Sequence, residues 1–63
     1  MKFKFIGKTS ELYGINENSD YEILQFGIKN NCFIIYIINE ERKLSIISYP
    51  SVNKFNENWL YIG

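Results

Sequence analysis

The sequence predicts an all-β domain. Short runs of Ile, Leu, Phe and Tyr either alternate with polar residues or are apolar on both faces, the pattern of half-buried and fully buried strands. Turn formers cut these runs at Asn30-Asn31, at Glu40-Glu41-Arg42-Lys43 and at Pro50. No long window carries apolar residues at helical spacing, and both all-helical and ferredoxin-like folds need at least one amphipathic helix of about ten residues. The 63 residues make one domain spanning the whole chain, 1–63.

The elements follow in order. Lys2 to Ile6 reads Lys-Phe-Lys-Phe-Ile, a strand with Phe3 and Phe5 inward and Lys2 and Lys4 outward. Thr9 to Asp20 is a polar loop with Gly14, Asn16, Asn18 and Ser19 as turn residues. Leu12, Tyr13 and Ile15 interrupt it and are expected to tuck under it and close one end of the core. Tyr21 to Lys29 is the second strand. Tyr21 and Ile23 share one face while Leu24, Phe26 and Ile28 share the other, a change of phase that predicts a β-bulge, with Gly27 as its natural site. Asn30-Asn31 suits a two-residue hairpin, because Asn tolerates positive φ.

Cys32 to Asn39 is the third strand and Leu44 to Tyr49 the fourth, with Glu40 to Lys43 as an exposed turn between them. On the fourth strand Leu44 and Ile46 lie on one face, Ile47 and Tyr49 on the other. Pro50 ends it, lacking an N–H for the ladder. Val52 and Phe55 stand one helical turn apart, and Ser51 is placed to cap that turn. Trp59 to Ile62 is a last short strand. Five short strands, a long early loop and one short helical turn before the final strand describe a small five-stranded SH3-like barrel.

Composition narrows the chemistry. Seven basic and seven acidic side chains cancel, so no overall charge draws the chain to nucleic acid or anionic membrane. There is one cysteine, Cys32, and no histidine. Neither an intrachain disulfide nor a Cys/His zinc site can be built, and no metal or other cofactor is expected. The longest apolar run, Cys32 to Ile38, is too short to span a membrane as a helix. The N-terminus lacks the continuous apolar segment of a signal peptide, and a lone cysteine suits a reducing compartment, so a cytoplasmic location is expected.

No catalytic constellation stands out. Glu40 and Glu41 are adjacent in a turn and point apart. Ser45, Ser48 and Ser51 have no histidine to activate them, and there is no glycine-rich phosphate loop. Cys32 in an apolar strand reads as a packed, inert thiol. The chain is read as a binding protein and not an enzyme.

Certain residues carry a resemblance. The opening Lys-Phe-Ile-Gly-Lys-Thr-Ser (4–10), the strand start Tyr-Glu-Ile-Leu (21–24) and the ending Tyr-Pro-Ser-Val-Asn-Lys-Phe-Asn-Glu-Asn-Trp-Leu-Tyr-Ile (49–62) resemble a group of very short proteins from phages and prophages of Gram-positive bacteria. Phe5 stands where that group often has Tyr, and the third strand is more apolar than is usual there. The resemblance implies an SH3-like barrel encoded by a mobile element, and brings no functional residues with it.

Two surfaces are candidates for function. The third strand is apolar on both faces, which is more than one small barrel can bury, so one face is expected to form an oligomer interface through Phe33, Ile35, Ile37 and Ile47. The basic and aromatic residues Lys4, Lys8, Tyr13, Arg42 and Lys43 are the candidate ligand contacts. A 63-residue core is marginal and has neither disulfide nor zinc to support it, which favours a homo-oligomer. The expected function is a phage-type accessory protein that acts by binding. It would counter host defence by blocking a host protein or sequestering a small nucleotide signal. The alternatives are a small-barrel nucleic-acid-binding regulator, which the neutral charge disfavours, and a structural virion component.

Overall fold

A computed structural model describes residues 1–63 as five strands and one helix: β1 (Lys2–Phe5), β2 (Asp20–Lys29), β3 (Cys32–Ile38), β4 (Leu44–Tyr49), α1 (Val52–Asn58) and β5 (Trp59–Tyr61). All neighbouring strands are antiparallel, and they form one sheet in the order β4-β3-β2-β1-β5. The sheet is not closed, because β4 and β5 are its two edges.

The ten-residue β2 belongs to both halves of the sheet. Its first residues pair with β1, with Phe3 opposite Tyr21, and its remainder pairs with β3, with Phe26 opposite Ile35. The register shifts between Ile23 and Gln25, so the bulge sits at Leu24 and not at Gly27. The extra residue resets the alternation. Tyr21 and Ile23 point inward before it, and Phe26 packs against the same core after it. Gly27 has a different role. It lies opposite Ile34, and a Cβ placed on it would sit 3.9 Å from the Tyr36 ring.

The turns form where the residue types allow. Asn30 and Asn31 both adopt positive φ, 53° and 64°, as a two-residue hairpin with the right-handed strand twist requires. In the next hairpin the Asn39 side-chain oxygen accepts from the backbone N–H of Glu41 (2.9 Å) and Lys43 (3.1 Å), and Arg42 takes φ 62°. Helix α1 starts at Ser51, whose hydroxyl accepts from Lys54 N–H, and ends where Trp59 returns to extended backbone.

The core is Phe3, Phe5, Ile15, Tyr21, Ile23, Ile35, Ile37, Ile47, Phe55 and Trp59. Phe33, Phe26, Tyr13 and Tyr49 pack around it. In the early loop Ile15 is buried and Tyr13 half-buried, but Leu12 is 84% exposed, so it does not help close the core.

Ile35 is fully buried while Ile46, on the opposite side of the sheet, is 53% exposed. The exchange Ile35→Ala is therefore expected to lower the unfolding free energy by about 2–5 kcal/mol. Ile46→Ala, measured by urea unfolding at low protein concentration, is expected to cost less than about 1 kcal/mol.

Candidate functional site

Two surface features stand out, a polar depression and an apolar sheet face. The depression has a volume of about 410 Å³ and is lined by Lys2, Asp20, Tyr21, Glu22, Ile38, Asn39, Glu40 and Arg42. Register explains how residues so distant in sequence meet. Lys2 stands opposite Glu22 across β1 and β2, and Ile23 opposite Ile37 across β2 and β3. Lys2, Glu22 and Ile38 thus fall in one row, and the 39–43 hairpin rises at its end.

That hairpin is fastened to the early loop through Asn39. The Asn39 amide nitrogen donates to Ser45 Oγ (2.8 Å), and Ser45 Oγ donates to the Tyr13 carbonyl (2.8 Å). Glu40 N–H donates to the Gly14 carbonyl at 2.9 Å. Gly14 has φ 68°, and a Cβ there would meet the Asn39 side chain at 3.0 Å, so the close approach and the backbone both call for glycine. Ser45 is the one buried polar side chain, and this network satisfies it.

Tyr21 is among the residues lining the depression. Its hydroxyl donates to Glu40 Oε1 at 2.8 Å and accepts from Asn16 N–H at 2.7 Å. Burial raises the Tyr21 pKa above the usual 10.0, and the Asn16 N–H opposes that rise while the Glu40 carboxylate adds to it. The carboxylates nearby are largely occupied: Asp20 pairs with Lys4 at 3.1 Å, and Glu22 pairs with the N-terminal ammonium. Lys2 and Arg42 form no ion pair. The depression therefore combines two free cations with three carboxylates around the Tyr21 phenol. No three His, Cys, Asp or Glu side chains gather as a metal site, and no helix is long and apolar enough to cross a membrane.

The second feature is the outer face of β2, β3 and β4. Paired residues of an antiparallel ladder point to the same side. The pairs Tyr36–Ile46, Ile34–Ser48 and Ile38–Leu44 therefore share the face away from the core, beside Gln25 and Gly27 of β2. Leu24, Leu44 and Ile46 are each more than half exposed there. Across β2 and β1 the same side of the sheet turns charged, with Lys2 opposite Glu22 and Lys4 opposite Asp20.

The expected interface residues lie on the other side. Ile35, Ile37 and Ile47 are buried in the monomer, so these three are not available to a partner, and Phe33 is partly buried against the same core. The physical reason is parity: Ile23 and Phe26 beyond the Leu24 bulge take the Phe33-Ile35-Ile37 side of β3 inward, which leaves Ile34, Tyr36 and Ile38 outside. The candidate ligand contacts are not gathered either. Lys4 is tied to Asp20 and to the Asn18 carbonyl, Lys8 is exposed beyond β1, and Tyr13 is half-buried in the early loop. Lys43 is exposed on its hairpin, and of the five only Arg42 lines the depression. Lys2, Tyr21 and Asn39 were missed as site residues because only the strand register brings them together; Cys32 is a free, half-buried thiol.

No protein-family model, curated protein or solved structure matches this chain.

The Tyr21 phenol gives a pH signature. Its folded-state pKa is raised, so the folded state keeps a proton that the unfolded chain loses. The associated stability is complete below about pH 10 and is lost as pH rises through the folded-state value. Tyr49 behaves likewise, its phenol pushed up chiefly by burial. The urea midpoint is expected to fall above about pH 10, and Tyr21→Phe is expected to make that fall shallower while lowering stability at neutral pH by about 1–2 kcal/mol. An equally steep alkaline fall in Tyr21→Phe would show that the phenol does not govern it.

Proposed function

We propose that this chain is a non-enzymatic, phage-type accessory protein that acts by binding as a homo-oligomer and counters host defence by obstructing a host protein. The observation that carries the binding reading is the contrast between its surfaces. An apolar sheet face lies bare, while the one depression is lined by Lys2, Arg42 and three carboxylates around the Tyr21 phenol. A domain whose exposed surface is spent on apolar contact area works by covering another surface.

An SH3-like barrel is the fold reading that best fits this architecture. The order β4-β3-β2-β1-β5, the long β2 shared between two ladders and the helix between β4 and β5 all support it. The phage-type and anti-defence parts rest on the sequence resemblance at residues 4–10, 21–24 and 49–62.

Of the two modes of action, blocking a protein is better supported than sequestering a nucleotide. Lys2 and Arg42 suit a phosphate, but Asp20, Glu22 and Glu40 line the same depression and repel one. Nucleic acid fits less well still. Lys4 is paired, neither Lys8 nor Lys43 lines the depression with Arg42, and the net charge is zero.

Expression in bacteria that carry phage-defence systems is expected to raise plaque counts for a phage those systems restrict. Unchanged counts across a panel of nuclease-based and nucleotide-signalling defences would sink the anti-defence reading. Sedimentation equilibrium is expected to show self-association at micromolar concentration, and a strict monomer would remove the homo-oligomer.

A further inference from the structure

We propose that two copies of this chain join edge to edge through β4, pairing antiparallel about a two-fold axis at Ile46 so that their sheets run on as one. The inference rests on the homo-oligomer reading and gives it a surface that the sequence reading did not name.

Hydrogen-bond parity decides what this edge presents. Bonded and non-bonded pairs alternate along an antiparallel ladder. The Asn39 N–H donates to the Lys43 carbonyl at 2.8 Å, so the next pair, Ile38–Leu44, is non-bonded, as are Tyr36–Ile46 and Ile34–Ser48. The hairpin at Asn30-Asn31 fixes the same parity from the other end. Lys29 and Cys32 close it as a bonded pair, so Phe33 turns its backbone groups to Tyr49. Leu44, Ile46 and Ser48 therefore turn their N–H and C=O groups away from β3. No backbone bond from a turn, loop or helix reaches those groups.

Exposed edges are ordinarily guarded against pairing by a charge, a proline, a bulge or shortness. β5 is guarded. It has three residues, the Phe55 carbonyl takes the Trp59 N–H, and Tyr61 alone turns both backbone groups outward. β4 has none of these guards. Its residues, Leu-Ser-Ile-Ile-Ser-Tyr, include no charge and no proline. Its register with β3 runs unbroken from Ile38–Leu44 to Phe33–Tyr49.

Only another extended backbone complements such a row, and a second β4 does so in full. With the axis at Ile46, Ile46 faces Ile46 of the partner subunit, and Leu44 faces Ser48 of the partner subunit on either side. Every one of these residues has its N–H and C=O turned outward, so each facing pair exchanges two bonds and no outward group of the run is left over. Side chains agree with that register. Ile46 is 53% exposed on the outer side of the sheet, so an apolar contact forms on the axis. Like charges do not meet, because the ladder runs out at Pro50 at one end and at the 40–43 turn at the other. A strand of another protein supplies a backbone too; a second copy also matches the run in length and ends it at the same two breaks.

Sedimentation equilibrium of the full chain, with backbone variants, tests the edge. Wild type is expected to be a dimer at micromolar concentration. Ser48→Pro removes an outward N–H and spares the β3 ladder, since proline is tolerated in an edge strand where the missing N–H faces solvent. It is expected to weaken dimerisation by about tenfold or more, because two bonds across the axis go with it. Ser48→Thr is expected to leave it unchanged. Cross-linking reads the register. In a Cys32→Ser background, Ile46→Cys is expected to oxidise to a covalent dimer, because bonded partners stand about 5.5 Å apart at Cα, within disulfide reach. Leu44→Cys, roughly 14 Å from its own counterpart, is expected to give none. Circular dichroism checks folding, and where Ser48→Pro does not fold, the two cysteine variants decide. A dimer that tolerates Ser48→Pro, or that fails to cross-link through Ile46→Cys, would overturn this edge and leave the homo-oligomer standing. A wild-type monomer throughout would overturn both and leave β4 to a strand of another protein.

Discussion

The packing of Phe55 holds the two halves of this sheet together. No ladder joins β4 to β5, so hydrogen bonds alone leave the sheet open on one side. The Phe55 ring lies in that gap, with centroids 5.6 Å from Phe3, 5.7 Å from Phe26, 5.1 Å from Phe33, 6.1 Å from Tyr49 and 6.4 Å from Trp59. Those five partners come from all five strands of the sheet. A buried aromatic covers about 150–250 Å² and gains further from edge-to-face contacts. Local sequence delivers it there. Pro50 stops β4, Ser51 caps a helix of seven residues, and Trp59 leaves that helix already extended as the first residue of β5. Trp59 Nε1 then donates to the Tyr49 hydroxyl at 2.8 Å, a polar clasp between the two edge strands beside the aromatic plug.

Most of this architecture was legible in the residues. β4 runs from Leu44 to Tyr49 as its alternation and Pro50 predict, and β1, β2, β3 and β5 begin and end within one residue of the sequence reading. Ser51 as cap and Asn30-Asn31 as a positive-φ hairpin follow from side-chain chemistry that acts over a few residues. The position of the bulge did not follow. Glycine at 27 is the permissive residue, but a bulge is placed by the partner strand, and here the requirement is that both Ile23 and Phe26 face the same core. Leu24, midway in the phase change, is the residue left over. Leu12 escaped for a similar reason. A short loop closed by the reciprocal Ser10–Ile15 backbone bonds carries Ile15 inward and leaves Leu12 at the tip.

The inward side of β3 shows a harder limit. Phe33-Ile35-Ile37 and Ile34-Tyr36-Ile38 are equally apolar, so the strand holds no preference of its own. Its neighbours decide. Tyr21, Ile23 and Phe26 on one flank and Ile47 and Tyr49 on the other choose Phe33, Ile35 and Ile37. A one-residue change of parity would exchange every side chain between core and surface. The depression has the same dependence on register. Lys2 and Arg42 are forty positions apart in the chain, and only the rows running across β1, β2 and β3 place them on one rim.

Because one strand serves two ladders, the outside of the sheet has two characters. The portion of β2 that pairs with β1 carries Asp20 and Glu22, answered by Lys4 and the N-terminus, and water suits it. The portion that pairs with β3 carries Leu24, Gln25 and Gly27 beside Ile34 and Tyr36, and water does not. The bulge at Leu24 marks the boundary between them. The irregularity that lets β2 line one core on its inner side also divides its outer side into a solvated half and an apolar half. A chain with no disulfide and ten buried apolar residues gains little from leaving that second half bare, unless covering it is part of how the protein works.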